Sequence, residues 1–196
     1  SVVRNYIDYL LKLPWNNKTD DKSNLNEVIN NLNKKHFGIE TAKNRIIEYL
    51  AVKKMSNNVN SPIICFVGPP GVGKTTLAYN IADSIGRKFV KISVGGISDP
   101  AELVGHRKTY IGAYPGRIIQ GLKKCQSSNP VFLIDEIDKM GKDMKGDPAN
   151  VLLEILDKNQ NKHFSDNYIE EEFDLSKVMF VATANNIEDI PEALRD

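Results

Sequence analysis

Nine consecutive residues, GPPGVGKTT from Gly68 to Thr76, have the types and spacing to hold phosphate. They fit G-x-x-x-x-G-K-[ST], with Gly68, Gly73, Lys74 and Thr75 in the fixed positions. Pro69, Pro70, Gly71 and Val72 fill the loop, and Thr76 follows it. Backbone N–H groups of such a loop wrap phosphate oxygens. Glycine leaves room for that approach and permits positive φ. Lys74 is placed to reach the β- and γ-phosphates as a point charge. The Thr75 hydroxyl is placed to sit on Mg²⁺. ATP or ADP with Mg²⁺ is the expected ligand.

Two further strand ends carry chemistry. VFLIDEID, Val131 to Asp138, is an apolar run ending in carboxylates. Asp135 at the tip suits Mg²⁺ beside Thr75, and Glu136 suits polarising water for attack on the γ-phosphate. Alone, the pair reads equally well as solvated acids; after a phosphate loop, the catalytic reading is preferred. VATANN, Val181 to Asn186, ends in amides. Asn185 there is a candidate sensor of the γ-phosphate or the attacking water. In KTYIGAYPGR, Tyr110 and Ile111 occupy a Gly/Pro-rich stretch with no periodic face. They either present an aromatic–aliphatic pair to a polypeptide or pack back on the core.

These groups need strands and helices to position them. Ile63 to Val67 is an unbroken apolar run, expected as a strand buried on both faces. Leu77, Ala78, Ile81, Ala82 and Ile85 recur at helical spacing after the loop, and Gly86 stops the helix. Strands are expected at 89–93, 131–134 and 178–183, with a helix near 114–125. Asp147 and Pro148 read as N-cap and first residue of a further helix. Upstream, residues 1–12 read as an amphipathic helix stopped by Pro14. Asn24 with Glu27 resembles a capping box, and Ile39 to Met55 reads as a helix. Residues 16–24 and 56–60 are polar, with a weak disorder signal. Alternating strands and helices imply an α/β three-layer sandwich around a parallel sheet, preceded by a short helical segment. Ligands then sit at the carboxyl ends of the strands. The expected division is a lead-in at 1–35 and a large α/β unit at 36–196.

The bulk numbers exclude rather than identify. Net charge is +1, so no broad nucleic-acid or acidic-membrane surface is expected. No apolar run reaches membrane-spanning length. Two cysteines make no disulfide framework; Cys65, in a core strand, and Cys125 are expected to be inert, buried or half-buried thiols. His36, His106 and His163 lack zinc spacing. The EEEFD run reads as a solvated face. No NKxD-like guanine reader follows the phosphate loop, which disfavours a GTPase.

Together, the phosphate loop, Asp135–Glu136 and Asn185 resemble an AAA+ ATPase. GHRKTYIGAYPGR, LIDEIDKM, GDPANVLLEILD, FSDNY and IPEALRD resemble the Lon family of ATP-dependent serine proteases more specifically. The resemblance implies a homohexameric ring that threads protein substrates into a proteolytic chamber. On it, Lys74, Glu136 and Asn185 serve hydrolysis, and Gly68 to Thr76 bind nucleotide. It further implies that His36, Phe37 and Gly38 flank the adenine, that Tyr110 and Ile111 form the first pore loop, and that Met144 lies in the second. A remodelling AAA+ ATPase acting on other protein or nucleic-acid assemblies is the alternative. The resemblance places the protein in the mitochondrial matrix of a eukaryote, the option favoured here, or in a bacterial cytoplasm.

The family's arginine finger follows the Asp matching Asp196, and the lid and Ser-Lys protease domain lie outside these residues; Arg195 is not the matching position. Such a finger is worth roughly 10³–10⁵ in rate. The 196-residue chain alone is therefore expected to be mostly monomeric and a slow ATPase. Light scattering and a phosphate-release assay measure both properties. A stable hexamer with brisk turnover would contradict the expectation.

Overall fold

Four strands run parallel in the order β1 (Ile64–Val67), β6 (Met179–Ala184), β3 (Val131–Asp135) and β2 (Phe89–Ser93). A computed structural model describes residues 2–22, 24–35, 40–55, 63–141, 144 and 146–195. A two-stranded antiparallel ribbon, β4 (Phe164–Ser165) with β5 (Glu172–Phe173), stands apart from the main sheet.

Alternation along β3 builds a core on each face of the sheet. Val131 and Leu133 face one cluster with Met179 and Val181 of β6. That cluster holds Val28 and Leu32 of α2 (Leu25–Lys35), Ile46 and Leu50 of α3 (Glu40–Met55), and Leu77, Ala78 and Ile81 of α4 (Lys74–Ile85). Phe132 and Ile134 face the other cluster with Phe180 and Ala182. It is covered by Ile118, Ile119 and Leu122 of α6 (Arg117–Cys125) and by Leu152 and Ile155 of α7 (Pro148–Leu156). Tyr6, Tyr9 and Leu10 of α1 (Val2–Lys12) pack against the same side. The three-layer α/β arrangement matches the expectation. Both lead-in helices join these cores.

Local signals set most helix ends. Gly86, at φ 80°, closes α4 by donating its N–H to the Ala82 and Asp83 carbonyls. Asp147 caps α7, accepting from Ala149 N at 3.0 Å, with Pro148 next in the chain. Asn24 accepts from Asn26 N at 3.1 Å, while Glu27 meets the Asn24 side-chain amide rather than its backbone. The helix expected near 114 begins only at Arg117, because Pro115 and Gly116 keep the chain extended up to its N-cap. A one-turn helix, α5 (Ala101–Val104), precedes that loop.

Three expectations need correction. The first strand is not buried on both faces. It lies at the sheet edge, and its residues alternate between half-buried and exposed. Cys65 is accordingly exposed rather than a core thiol. Nearby burial and the Asp138 charge still push its thiol up to about 11, so it stays protonated. Cys125 is half-buried, as expected. Third, residues 16–22 are not loose. Thr19 N donates to Asn129 Oδ1 at 2.8 Å, and Asn129 Nδ2 donates back to Thr19 O at 2.8 Å. Ser128 N donates to Asn17 O at 2.7 Å, and Lys22 N to Ile85 O at 2.9 Å. Arg87 also grips Asp21 through two nitrogens. Asp21 is 44% exposed, so that ion pair adds under about 1 kcal/mol. The backbone bonds order the strap. Residues 56–60 lie outside the described residues, as does Ile39, and α3 begins at Glu40.

Gly121 lets α6 lie close on the sheet. A Cβ there would come within 2.8 Å of Val90 Cγ1 and 2.9 Å of Phe132 Cζ. Gly121→Ala is expected to lower stability by about 1–3 kcal/mol through overpacking, despite the better helix former. Thermal denaturation reads this as a lowered Tm. An unchanged or raised Tm would show that α6 has room to move.

Candidate functional site

Parallel register brings the chemistry to one edge. Val67 pairs with Ala184, Ile134 with Ala182, and Ser93 with Asp135. The residues that follow β1, β6 and β3 therefore emerge side by side. They are the phosphate loop, Asn185 and Glu136.

The loop runs from Gly68 into α4. Gly71 has φ 83° and Gly73 φ 89°, which side chains rarely adopt. Gly73 is also the N-cap of α4, and no side chain caps that end. The first N–H groups of a helix carry partial positive charge suited to an anion. Lys74 folds over the loop. Its ammonium donates to Gly68 O, to Pro69 O at 3.0 Å and to Asn185 Oδ1 at 3.0 Å. Thr75 is half-buried and Thr76 exposed at the start of α4. Pro69, Pro70 and Val72 are exposed along the loop.

Asp135 and Glu136 have separate environments. Burial pushes the Asp135 carboxyl up, but hydrogen bonds from Lys91 and Thr183 and the nearby ammonium charges outweigh it, leaving it below the usual range. Lys91 Nζ lies 2.7 Å from Asp135 Oδ2, and Thr183 donates its hydroxyl to Oδ1. Thr183 is almost fully buried and also accepts from Glu136 N at 3.2 Å. Glu136 adopts φ 65° and ψ 47°, a left-handed conformation costly without glycine. Its carboxylate receives Lys139 and, at 3.2 Å, the Ser93 hydroxyl. Those bonds, Lys139 first, hold its carboxyl below the usual range. Gly95 makes the space, since a Cβ there would lie 2.8 Å from Glu136 Oε2.

The carboxylate of Asp135 already accepts a cation, and Thr75 offers a hydroxyl. This hard-oxygen pair suits Mg²⁺, which binds few protein oxygens and takes the rest from phosphate and water. Asp138 ties the site together: its Oδ2 accepts from Asn185 N at 3.0 Å, while its Oδ1 is buried without a partner.

The structure thus brings together Gly68 to Thr75, Asp135, Glu136 and Asn185. Ser93, Gly95, Asp138, Lys139 and Thr183 were not singled out from sequence. Thr183 had a signal, being the one hydroxyl in the apolar run VMFVAT. Asp138 and Lys139 lie within the LIDEIDKM run, whereas Ser93 and Gly95 meet the site only through the fold. Tyr110 is 64% exposed and Ile111 fully exposed, so neither packs back on the core. Met144 is likewise fully exposed, in a turn. His36, Phe37 and Gly38 lie outside the described residues.

The chain matches the model of the ATPase family associated with various cellular activities (AAA) over residues 64–196. It is 60% identical to Lon protease 1 of Bacillus subtilis and 60% identical to Lon protease of Malacoplasma penetrans. It is 58% identical to Lon protease of Mycoplasma mycoides. Each match covers all of this chain and 25% of the relative, so the chain spans about a quarter of their length. These relatives are bacterial and give the mitochondrial expectation no support. Because the matched region contains the phosphate loop, the Asp135–Glu136 strand end and Asn185, the chain belongs to the AAA family of ATPases and resembles the Lon proteases within it.

Proposed function

We propose that this chain is the ATP-binding and ATP-hydrolysing motor segment of a Lon-type protease. It powers unfolding and translocation of protein substrates within a homohexamer, in a bacterial cytoplasm. One observation carries the reading: Lys74 of the phosphate loop reaches Asn185 at the end of β6, so two separate motifs address the same volume.

In this reading, the loop N–H groups and Lys74 bind the phosphates. Thr75 and Asp135 would hold Mg²⁺, which would supply charge neutralisation on the phosphates. Glu136 stays ionised because Lys139 and Ser93 stabilise its charge. It is therefore able to accept a proton from water as the water oxygen attacks the γ-phosphorus and ADP leaves. Asn185 reports the γ-phosphate through the same amide that Lys74 touches. Asp138 fixes the backbone of Asn185. Tyr110 and Ile111 grip the polypeptide, with Met144 in a second loop. A lead-in at 1–35 and an ATPase unit at 36–196 remain the proposed division. His36, Phe37 and Gly38 remain the proposed adenine contacts.

Two substitutions test this. Lys74→Ala is expected to weaken Mg-ADP binding by about 10–100-fold, the equivalent of a lost hydrogen bond to a charged group. Calorimetry measures it, and equal affinities would remove Lys74 from the phosphate site. Glu136→Gln in the full-length protein is expected to retain ATP affinity and lose about 10²–10⁴ in turnover. Near-normal turnover would mean that another group positions the water.

A further inference from the structure

The bare tip at Tyr110 and Ile111 stands on a neck made of two glycines. Gly105 and Gly116 pass each other in backbone contact, Gly105 with φ 81°. A Cβ on Gly116 would strike the Leu103 carbonyl and lie 2.6 Å from Gly105 N. Left to itself, a glycine pair is a swivel, because both residues visit most of φ/ψ space. The neck does not swivel, because a buried carboxylate is locked across it. Asp166 is 0% exposed. Its Oδ2 accepts from Gly116 N at 2.7 Å. Its Oδ1 accepts from Tyr168 N at 2.8 Å and Ile169 N at 3.2 Å. A Cβ on Gly105 would lie 2.7 Å from that same Oδ1. The next residue holds the other side of the neck. Asn167 N donates to Val104 O at 2.7 Å, and its side-chain amide donates to Gly105 O at 3.0 Å.

We propose that Asp166 is the positioning residue that fixes the direction in which the Tyr110–Ile111 tip projects, with Asn167 as the second anchor. The proposal rests on reading that tip as the substrate grip. Force applied to an exposed tip reaches the ATPase core only through a stiff base, and across the neck itself runs one long backbone bond, His106 N to Tyr114 O at 3.3 Å. The clamp is itself braced. Tyr6 of α1 donates its hydroxyl to Ile169 O at 2.8 Å, and the Tyr6 and Tyr9 rings pack edge-on against Tyr168. Lys108, inside the loop, pairs with Glu170 at 2.6 Å and lies over the Tyr6 ring at 4.7 Å. The chemistry also speaks against a purely stabilising role. Burial pushes the Asp166 carboxyl up to about 6, against the pull of its three backbone donors and of His106. A buried charge of this kind is an expensive way to gain stability, but a good way to fix several N–H groups at once.

The test uses the full-length protein with four readouts: degradation of a stably folded protein, cleavage of a short unstructured peptide, Mg-ADP affinity, and amide hydrogen exchange. Asp166→Asn keeps the volume but replaces one acceptor oxygen with a donor. Degradation of the folded protein is expected to fall by about tenfold or more, as for a misaligned working group. Peptide cleavage and Mg-ADP affinity are expected to stay at the wild-type level. The Gly116 N–H should exchange faster, while amides of β3 and β6 do not. Asn167→Ala removes only the side-chain bond to Gly105 O and should act in the same sense, more weakly; it decides the matter if Asp166→Asn does not fold. Tyr110→Ala separates the two levels of the argument. If Tyr110→Ala abolishes folded-protein degradation and neither clamp variant lowers it, the clamp proposal is overturned and the grip reading stands. If Tyr110→Ala leaves degradation intact, the grip reading fails and takes the proposal with it. Uniformly faster exchange with lost nucleotide affinity in Asp166→Asn and unchanged degradation in Asn167→Ala would make Asp166 a fold residue and overturn the proposal.

Discussion

Parallel pairing of β1, β6 and β3 in register is the constraint on which the site depends. Polar residues just past three strand ends converge only because those ends are level, Val67 beside Ala184 and Ile134 beside Ala182. In a parallel sheet a register slip would move a whole strand end along its neighbour and turn each side chain to the opposite face. Here that is opposed on both sides, since Val131 and Leu133 fill one core and Phe132 and Ile134 the other. The apolar middle of β3 thus holds Asp135 and Glu136 in place. The single buried hydroxyl at that edge, Thr183, then links the two acids, donating to Asp135 and accepting from Glu136 N.

Most charge at the site has a partner, Asp138 Oδ1 excepted. Lys74 is spread over loop carbonyls and Asn185, Lys91 faces Asp135, and Lys139 faces Glu136. An unpaired charge in a half-buried cleft would carry a desolvation cost of several kcal/mol. Pairing avoids it, so phosphate and metal binding become an exchange of partners rather than a recruitment of bare ions. The pairings also keep the two acids apart in role. Asp135 is enclosed and bound to a cation, whereas Glu136 is turned away on a left-handed residue into the space left by Gly95.

Away from the strand ends, polar segments act as ties rather than as loose connectors. The strap at residues 16–22 closes the opposite side of the molecule through backbone bonds to the 126–129 turn and the end of α4. The turn at 166–170 does the same for the exposed 105–116 loop. Both stretches carry Asn and Asp, residues whose short side chains bond readily to backbone. That composition reads as disorder or plain turn from sequence, because the partners are about 110 residues away in one case and about 50 to 60 in the other.

By itself, the sequence determined what is local or periodic. The glycine spacing in GPPGVGKTT, the apolar runs tipped by Asp135 and Asn185, the Asp147–Pro148 helix start and the Gly86 stop all rest on steric and hydrogen-bonding rules within a few residues. The alternating pattern then implied the parallel sheet, and with it the edge where a ligand belongs. Tertiary structure decided what depends on distant chain segments. It set which strands lie at the edges, and so exposed Cys65. It gave Lys139, Ser93 and Gly95 their place around Glu136, and brought Asp138 to the backbone of Asn185. It turned Asp166 from a turn residue into a buried clamp on the 105–116 loop. Lys139 lies only three residues from Glu136, but the other contacts carry no signal in their neighbours, because contacts between positions about forty to fifty residues apart exist only once the chain has folded around them.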